Sequence, residues 1–121
     1  MHRIFFAIAI VCLAGSAALA QDPVKVDPKH YKVLMENDQV RVLHIHYGPH
    51  EKSVMHFHPD SVVVYVTDIH GKFNFPDGKS TDASGNAGDT LKTPAVTHLP
   101  ENTGDKAFDA VLVEFKKKPT Q

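Results

Sequence analysis

Residues 55–67 read MHFHPDSVVVYVT, two strand-like segments separated by a turn. Successive side chains of a β-strand point to opposite faces, so His56 and His58 project from the same face. Two imidazoles placed in this way can bind one metal ion if a third ligand approaches from another strand. Pro59-Asp60 ends the first segment, and the apolar run from Ser61 to Thr67 predicts a strand that is buried on both faces.

His98 is the candidate for the third ligand. It lies in the strand-like stretch from Val96 to Leu99, directly after the turn signal Thr93-Pro94. Imidazole is the commonest metal-binding side chain, and the chain carries nine histidines in 121 residues. We therefore predict that His56, His58 and His98 bind a divalent transition metal. Imidazole suits Fe, Cu, Ni or Zn without choosing among them, and a metal-free pocket of hydrogen-bonded imidazoles is the alternative.

The first 20 residues have the features of a secretory signal peptide. His2-Arg3 gives a positive start, an apolar run follows, and Ala18-Leu19-Ala20 is a small-x-small cleavage signal before Gln21. The alternative, a membrane anchor, is disfavoured because the apolar stretch is short and ends in Gly, Ser and Ala. We expect a secreted or periplasmic protein that is cleaved between Ala20 and Gln21.

The mature chain has a composition that excludes several kinds of site. Its only cysteine, Cys12, is lost with the leader, so disulfides and thiolate ligands are excluded. The formal charge changes only from −1 to −2 because Arg3 also leaves. This near-neutral balance gives no electrostatic reason to expect binding to nucleic acid or to a membrane surface.

After residue 20 the chain follows a β pattern with no helical period. We predict an extended lead-in and a first strand over 21–39, a β-barrel over 40–115 and a solvated basic tail over 116–121. The predicted strands are 30–35, 40–47, 54–58, 61–67, 71–75, 88–92, 96–99 and 107–115. Eight or nine short strands separated by Gly and Pro turns indicate an all-β sandwich or barrel.

Two sets of residues stand in the order of a known pair of motifs. The first set is Gly48, His56, His58 and Gly71, and the second is Gly88, Asp89, Pro94, His98 and Asn102. In this order they resemble the two motifs of the cupins, over roughly residues 40–115. The resemblance implies a jelly-roll β-barrel, or double-stranded β-helix, with a metal at the histidines. It also suggests a homodimer, which exposed outer strands would permit.

The chain departs from the cupin motifs at two points. The glutamate of the first motif would fall at Val62 or Val63, but both are aliphatic. The resemblance extends to three-histidine cupins, such as thiol dioxygenases and some diketone-cleaving enzymes, which lack this glutamate. In the second motif Val96 replaces a glycine and His98 comes one residue early. One residue reverses a side chain on a strand, so the direction of His98 stays open.

The other polar side chains offer further ligands. His44 and His46 share a face of the predicted strand 40–47. They could be a second ligand pair, could supply a fourth ligand, or could be paired polar groups of the interior or the rim. His50 could cover the mouth of the site or be a solvated loop residue, whereas His30 and His70 have the positions of surface residues at strand ends. The nearest carboxylates in sequence, each a fourth ligand, a general base or a loop charge, are those of Glu51, Asp60 and Glu101.

The charge of a three-histidine site indicates its chemistry. A divalent ion held by three neutral imidazoles keeps a formal charge of +2, which favours an anionic small-molecule ligand or a bound water with a pKa lowered towards about 7. The leading hypothesis is a secreted metal-binding cupin that acts as an Fe- or Cu-dependent oxygenase on a small organic anion. The alternatives are a non-catalytic module that binds a metal or small ligand, and a degenerate pocket in a domain that serves only in assembly.

Overall fold

The computed structural model describes residues 21–117, so the predicted signal peptide and residues 118–121 of the predicted tail lie outside the described part of the chain. Two β-sheets pack face to face, with one helical turn before them. The elements are α1 Pro23–Val26, β1 Tyr31–Glu36, β2 Val40–Tyr47, β3 His56–His58, β4 Ser61–Tyr65, β5 Gly71–Asn74, β6 Ser80–Asp82, β7 Thr90–Thr93, β8 Val96–Asn102 and β9 Phe108–Phe115. Nine strands in this arrangement confirm the predicted all-β jelly roll.

One sheet has the strand order β1-β2-β9-β4-β7, and the other has the order β3-β8-β5-β6. Every pairing is antiparallel. The hairpin between β5 and β6 turns at Pro76-Asp77-Gly78, and Gly78 takes the left-handed φ of 84° that favours glycine. Among residues 21–117, no helix is long and apolar enough to cross a membrane.

The core lies between the inner faces of the two sheets. On β2 the alternation predicted from sequence is observed, with Leu43 and Tyr47 buried and His46 exposed on the opposite face. The inner face of β9 carries Phe108, Ala110, Leu112 and Glu114, all buried. These side chains stabilise the fold by removing apolar surface from water, although Glu114 places a carboxylate among them.

Three sequence predictions are wrong in detail. The lead-in contains the helical turn α1, because Asp22 accepts a hydrogen bond from the Val24 amide and Pro23 follows as a favoured first helical residue. Strand β6 lies between the predicted strands 71–75 and 88–92, in a small, polar stretch where no strand was predicted, and it is exposed. Strand β4 alternates buried and half-buried residues, because only one of its faces covers the core.

Asn102, at the end of the second cupin-like motif, is 1% exposed and holds loops together. Its amide nitrogen donates to the carbonyl oxygens of Gly48, at 3.0 Å, and Lys106, at 2.8 Å. Its side-chain oxygen accepts from the Gly104 amide at 2.9 Å. This asparagine therefore fixes the loops beside the site rather than lining the site.

Candidate metal centre

The strands β3 and β8 bring the three predicted ligands together. They pair antiparallel with His56 directly opposite His98, so the two imidazoles project from the same face of the sheet. This register answers the question of direction that the early position of His98 raised. His56, His58 and His98, named here the histidine cluster, are 0%, 4% and 6% exposed. One ring nitrogen from each lies within 4.8 Å of the other two.

Hydrogen bonds fix the tautomers of His56 and His58. Nδ1 of His56 lies 2.9 Å from the carbonyl oxygen of Val54, which can only accept, so this nitrogen carries the proton. Nδ1 of His58 lies 2.8 Å from Oε2 of Glu114, and it likewise donates to the carboxylate. In the neutral imidazoles Nε2 is therefore a bare acceptor on both rings.

The two Nε2 atoms face each other at 3.0 Å. Two lone pairs at this distance repel unless a proton or a cation lies between them. The surroundings of His98 distinguish a shared proton from a metal cation, because both ring nitrogens of His98 are buried without a hydrogen-bond partner among the described residues. A shared proton would satisfy two nitrogens, whereas a metal ion would satisfy three. The donor set fits a divalent metal, since two nitrogens on a tetrahedral zinc lie about 3.3 Å apart with bonds of about 2.0–2.1 Å.

Burial keeps two of the three imidazoles of the cluster neutral. Burial, with a smaller contribution from the neighbouring His58, lowers the pKa of His56 to about 4. Burial and the two other histidines lower the pKa of His98 to about 2. Both imidazoles are therefore unprotonated at neutral pH, the state in which histidine binds metals.

A chain of hydrogen-bonded charged groups holds the Nδ1 side of the His58 ring. Glu114 accepts from Nδ1 of His58 and, through its other oxygen, from Nε of Arg41 at 2.7 Å. Arg41 in turn forms a bidentate pair with Asp22 at 2.8 and 3.0 Å. Burial alone raises the pKa of Glu114, but the hydrogen bonds from His58 and Arg41 outweigh burial, so this pKa lies below its ordinary value.

A second network supports His56. Ser53 donates to Asp27 at 2.5 Å, and its hydroxyl oxygen lies 3.2 Å from Nδ1 of His56. Asp27 also accepts from Nδ1 of His30 at 2.7 Å. His30 is 5% exposed and stacks on Tyr47 with ring centroids 4.2 Å apart. The prediction of His30 as a surface residue is therefore wrong, because its carboxylate partner lies three residues earlier in a turn.

The carboxylates considered as fourth ligands form ion pairs or hydrogen bonds with other residues. Glu51 pairs with Lys29 and accepts from the Gly48 amide, and Asp60 accepts from the Ala95 amide. Glu101 lies 3.6 Å from Nζ of Lys72. None belongs to the group of potential ligands found among residues 21–117.

The two valines at the expected position of a glutamate ligand lie on opposite faces of β4. Val63 is 9% exposed and lines an inner cavity together with His58 and His98. Val62 lies on the other face of β4 and is half-buried. The inward position therefore carries an aliphatic side chain, and the cluster is a three-histidine set.

His44 and His46 lie on the outer face of β2, away from the cluster. Nε2 of His44 and Nδ1 of His46 both bond to Oδ1 of Asp109, at 2.8 and 2.9 Å. They therefore do not supply a fourth ligand. His50 is exposed and bonds to Asp105 at 2.7 Å, consistent with a loop residue.

An open cavity of about 400 Å³ adjoins the cluster, with His58 and His98 in its wall. Its volume is in the range of small-molecule sites. Tyr31 and Tyr47 also line it, and their hydroxyls bond to each other at 2.6 Å. The ring of Tyr31 lies edge-on to His56, with centroids 4.8 Å apart.

Sequence reasoning missed the residues that hold the ligands. Glu114 gave a signal, because it shares the apolar alternation of β9 with Phe108, Ala110 and Leu112 and a charge on an inner face needs a partner. Asp27 and Ser53 gave none, since they lie in irregular segments whose approach to His56 depends on tertiary packing.

Comparison with known proteins agrees with this architecture. No protein-family model matches the sequence, and no curated protein matches it. Among solved structures, a cupin domain from Bordetella pertussis Tohama I is 28% identical, with a TM-score of 0.67, over 72% of this chain and 92% of that chain.

Two further solved structures resemble the chain in fold. A conserved protein with a double-stranded β-helix domain from Klebsiella pneumoniae is 21% identical, with a TM-score of 0.56, over 73% of this chain and 84% of that chain. A Cupin 2 conserved barrel domain protein from Salinispora arenicola is 21% identical, with a TM-score of 0.54, over 71% of this chain and 74% of that chain. The chain therefore has the cupin fold, a double-stranded β-helix with a buried histidine cluster compatible with a divalent metal.

Proposed function

We propose that this protein is a cupin that binds one divalent transition metal through His56, His58 and His98 and presents it to a small organic molecule. One observation carries the proposal. The bare Nε2 atoms of His56 and His58 face each other at 3.0 Å, beside a His98 whose nitrogens have no partner among the described residues. Buried polar groups without a partner are costly, and a cation accounts for all three imidazoles at once.

The chain's own residues prepare the site for a metal. The Val54 carbonyl and the Glu114 carboxylate hold the Nδ1 protons, which orients the Nε2 lone pairs of His56 and His58. Three protein ligands leave open coordination positions, and a metal in such a site supplies oxygen activation or an activated water. The adjoining cavity gives a small molecule room beside the histidines.

We propose Fe- or Cu-dependent oxygenase chemistry on a small organic anion as the activity. A non-catalytic binding module is the second candidate, and a specific observation favours it. The two paired tyrosines of the cavity wall cannot serve as general bases at neutral pH, because burial raises the pKa of Tyr31 and of Tyr47 well above the ordinary value and keeps both hydroxyls protonated. These two hydroxyls therefore offer little acid–base chemistry at neutral pH, and a binding module needs none.

The test begins with protein stripped of metal and reloaded separately with Fe, Cu, Ni or Zn. We expect one ion per chain by elemental analysis, and oxygen uptake with Fe or Cu in the presence of thiols, diketones or phenolic acids. One ion per chain with no oxygen uptake on any compound would favour the binding module. Absence of stoichiometric metal after reloading would refute the proposed function and favour a degenerate pocket.

We also propose that the protein is exported and cleaved between Ala20 and Gln21, on the strength of the Ala18-Leu19-Ala20 signal. Mass spectrometry of protein recovered from the periplasm or medium should give a chain that begins at Gln21. An intact Met1 in that fraction would contradict the cleavage. The homodimer suggested by the cupin resemblance stays a prediction.

A further inference from the structure

The cavity beside the histidine cluster limits the kind of molecule that can occupy the site. It measures about 400 Å³ and has His58 and His98 in its wall. A cavity of about 150 Å³ lined by apolar side chains accepts benzene, so this one has room for a ring with substituents. The metal at the cluster is one anchor of this molecule, so the nature of the ligand rests on the proposed function.

The wall away from the histidines is mostly apolar. Its lining side chains include Tyr31, Ile45, Val63, Phe73 and Phe108. Phe73 lies against His98, with ring centroids 4.4 Å apart, so aromatic surface continues up to the cluster. The Tyr31 hydroxyl bonds to that of Tyr47. A ligand body in this space gains free energy by leaving water rather than by making ion pairs.

The charged groups of the wall disfavour a second anionic group on the ligand. Besides its histidines, the lining contains one basic and two acidic side chains, Lys72, Asp82 and Glu101, which gives a formal balance of −1. The single cation already has a partner, since Nζ of Lys72 lies 3.6 Å from Oε2 of Glu101. The lining therefore holds no unpaired lysine or arginine that could receive a carboxylate or phosphate far from the metal.

We infer that the ligand of this site is a monoanion with an apolar, ring-sized body. Its one anionic oxygen group binds at the histidine-held metal, which carries a formal +2, and its body fills the cavity. A dianion binds more weakly, because its second charge would lie beside apolar side chains or the carboxylates of Asp82 and Glu101. A small hydrophilic anion binds weakly because it buries little apolar surface.

The experiment is calorimetric titration of the zinc-loaded mature protein with three probes. Benzoate has one carboxylate and a ring, acetate has the same head without the ring, and terephthalate has the same ring with a second carboxylate. Burial of a ring-sized apolar group predicts benzoate binding at least about ten-fold tighter than acetate. We expect terephthalate to bind at least about ten-fold more weakly than benzoate.

A double variant tests the origin of this ranking. Asp82→Asn with Glu101→Gln removes both carboxylates of the wall. This double variant should reduce the ratio of the terephthalate and benzoate dissociation constants several-fold without weakening the binding of benzoate. The matched control, Asp38→Asn with Glu36→Gln, changes two exposed acids outside the cavity wall and should leave this ratio unchanged.

The outcomes separate this inference from the proposed function. Zinc-loaded protein that binds acetate or terephthalate as tightly as benzoate would overturn the inference alone, and so would an unchanged ratio in the double variant. Failure to load any of Fe, Cu, Ni or Zn, measured by elemental analysis before any titration, would overturn the proposed function and this inference with it. Protein that loads one of the other metals but not zinc is titrated with that metal bound.

Discussion

Both ring nitrogens of His98 are buried without a hydrogen-bond partner among the described residues, so this side chain costs the metal-free fold free energy. His58 differs because its Nδ1 holds the buried carboxylate of Glu114. The two histidines should therefore respond in opposite ways to the same substitution.

We expect His98→Leu to stabilise the metal-free protein by about 1–2 kcal/mol while abolishing stoichiometric metal binding. His58→Leu should destabilise the metal-free protein by about 2–3 kcal/mol, since one oxygen of Glu114 loses its donor. Urea unfolding of the metal-free variants measures both values. A large loss of stability in His98→Leu would show that this imidazole has a structural partner and would count against a metal ligand.

Glu114 receives donors at both of its oxygens, from His58 and from Arg41. In Glu114→Gln the amide has a single acceptor oxygen, so one of the two donors loses its partner. We expect the metal dissociation constant to rise about 10- to 100-fold, as is typical when the support of a metal-binding histidine is removed. The matched control is Glu36→Gln, at an exposed glutamate that pairs with Lys116. Equal affinities in the two variants would show that Glu114 does not orient His58.

At the scale of elements, one charged chain joins α1, β2 and β9. Asp22 precedes α1, Arg41 lies on β2 and Glu114 lies on β9. The hydrogen bonds from Arg41 outweigh burial and hold the pKa of Asp22 below its ordinary value. The ion pair is therefore fully present above about pH 4, and its stabilisation is lost as the pH falls through the lowered folded-state pKa.

Asp22→Asn tests this connection, because asparagine can still cap α1 but carries no charge. We expect the variant to be about 1 kcal/mol less stable than wild type at pH 7, since the pair is partly exposed, and we expect this difference to shrink as the pH falls below about 4. Urea unfolding at both pH values measures the difference. Asp38→Asn, at an exposed aspartate, is the control and should show no such convergence; a pH-independent difference for Asp22→Asn would contradict the ion-pair account.

The strands were predictable where one face is buried. The bounds of β2 agree with prediction because residues 40–47 alternate over eight positions, and β9 has the same clear period. Strand β6 could not be found, since Ser80, Thr81 and Asp82 are exposed and its pairing with β5 depends on the Gly78 turn. Strand β8 continues to Asn102, through Pro100, beyond its predicted end.

At the scale of the whole molecule, the ligands were easier to predict than their supports. His56 and His58 follow from the strand repeat, and His98 from its resemblance to the second cupin motif. The register that sets His56 opposite His98 belongs to the pairing of β3 and β8, and no local pattern encodes it. The approach of Asp27 and Ser53 to His56 depends in the same way on packing between distant segments.

The fold also separates two similar histidine pairs. His56 and His58 on β3 are buried in the cluster, whereas His44 and His46 on β2 lie on the outer face with Asp109. Each pair has the spacing His-x-His, so each is a matched control for the other. The central claim is that only the inner pair binds the metal.

The most direct test is the zinc dissociation constant of three proteins: wild type, the double variant His56→Ala with His58→Ala, and the double variant His44→Ala with His46→Ala. Circular dichroism checks that all three are folded. We predict one ion per chain in wild type, no stoichiometric binding in the inner variant, and affinity within about three-fold of wild type in the outer variant. A folded inner variant that still binds one ion with wild-type affinity would contradict the account.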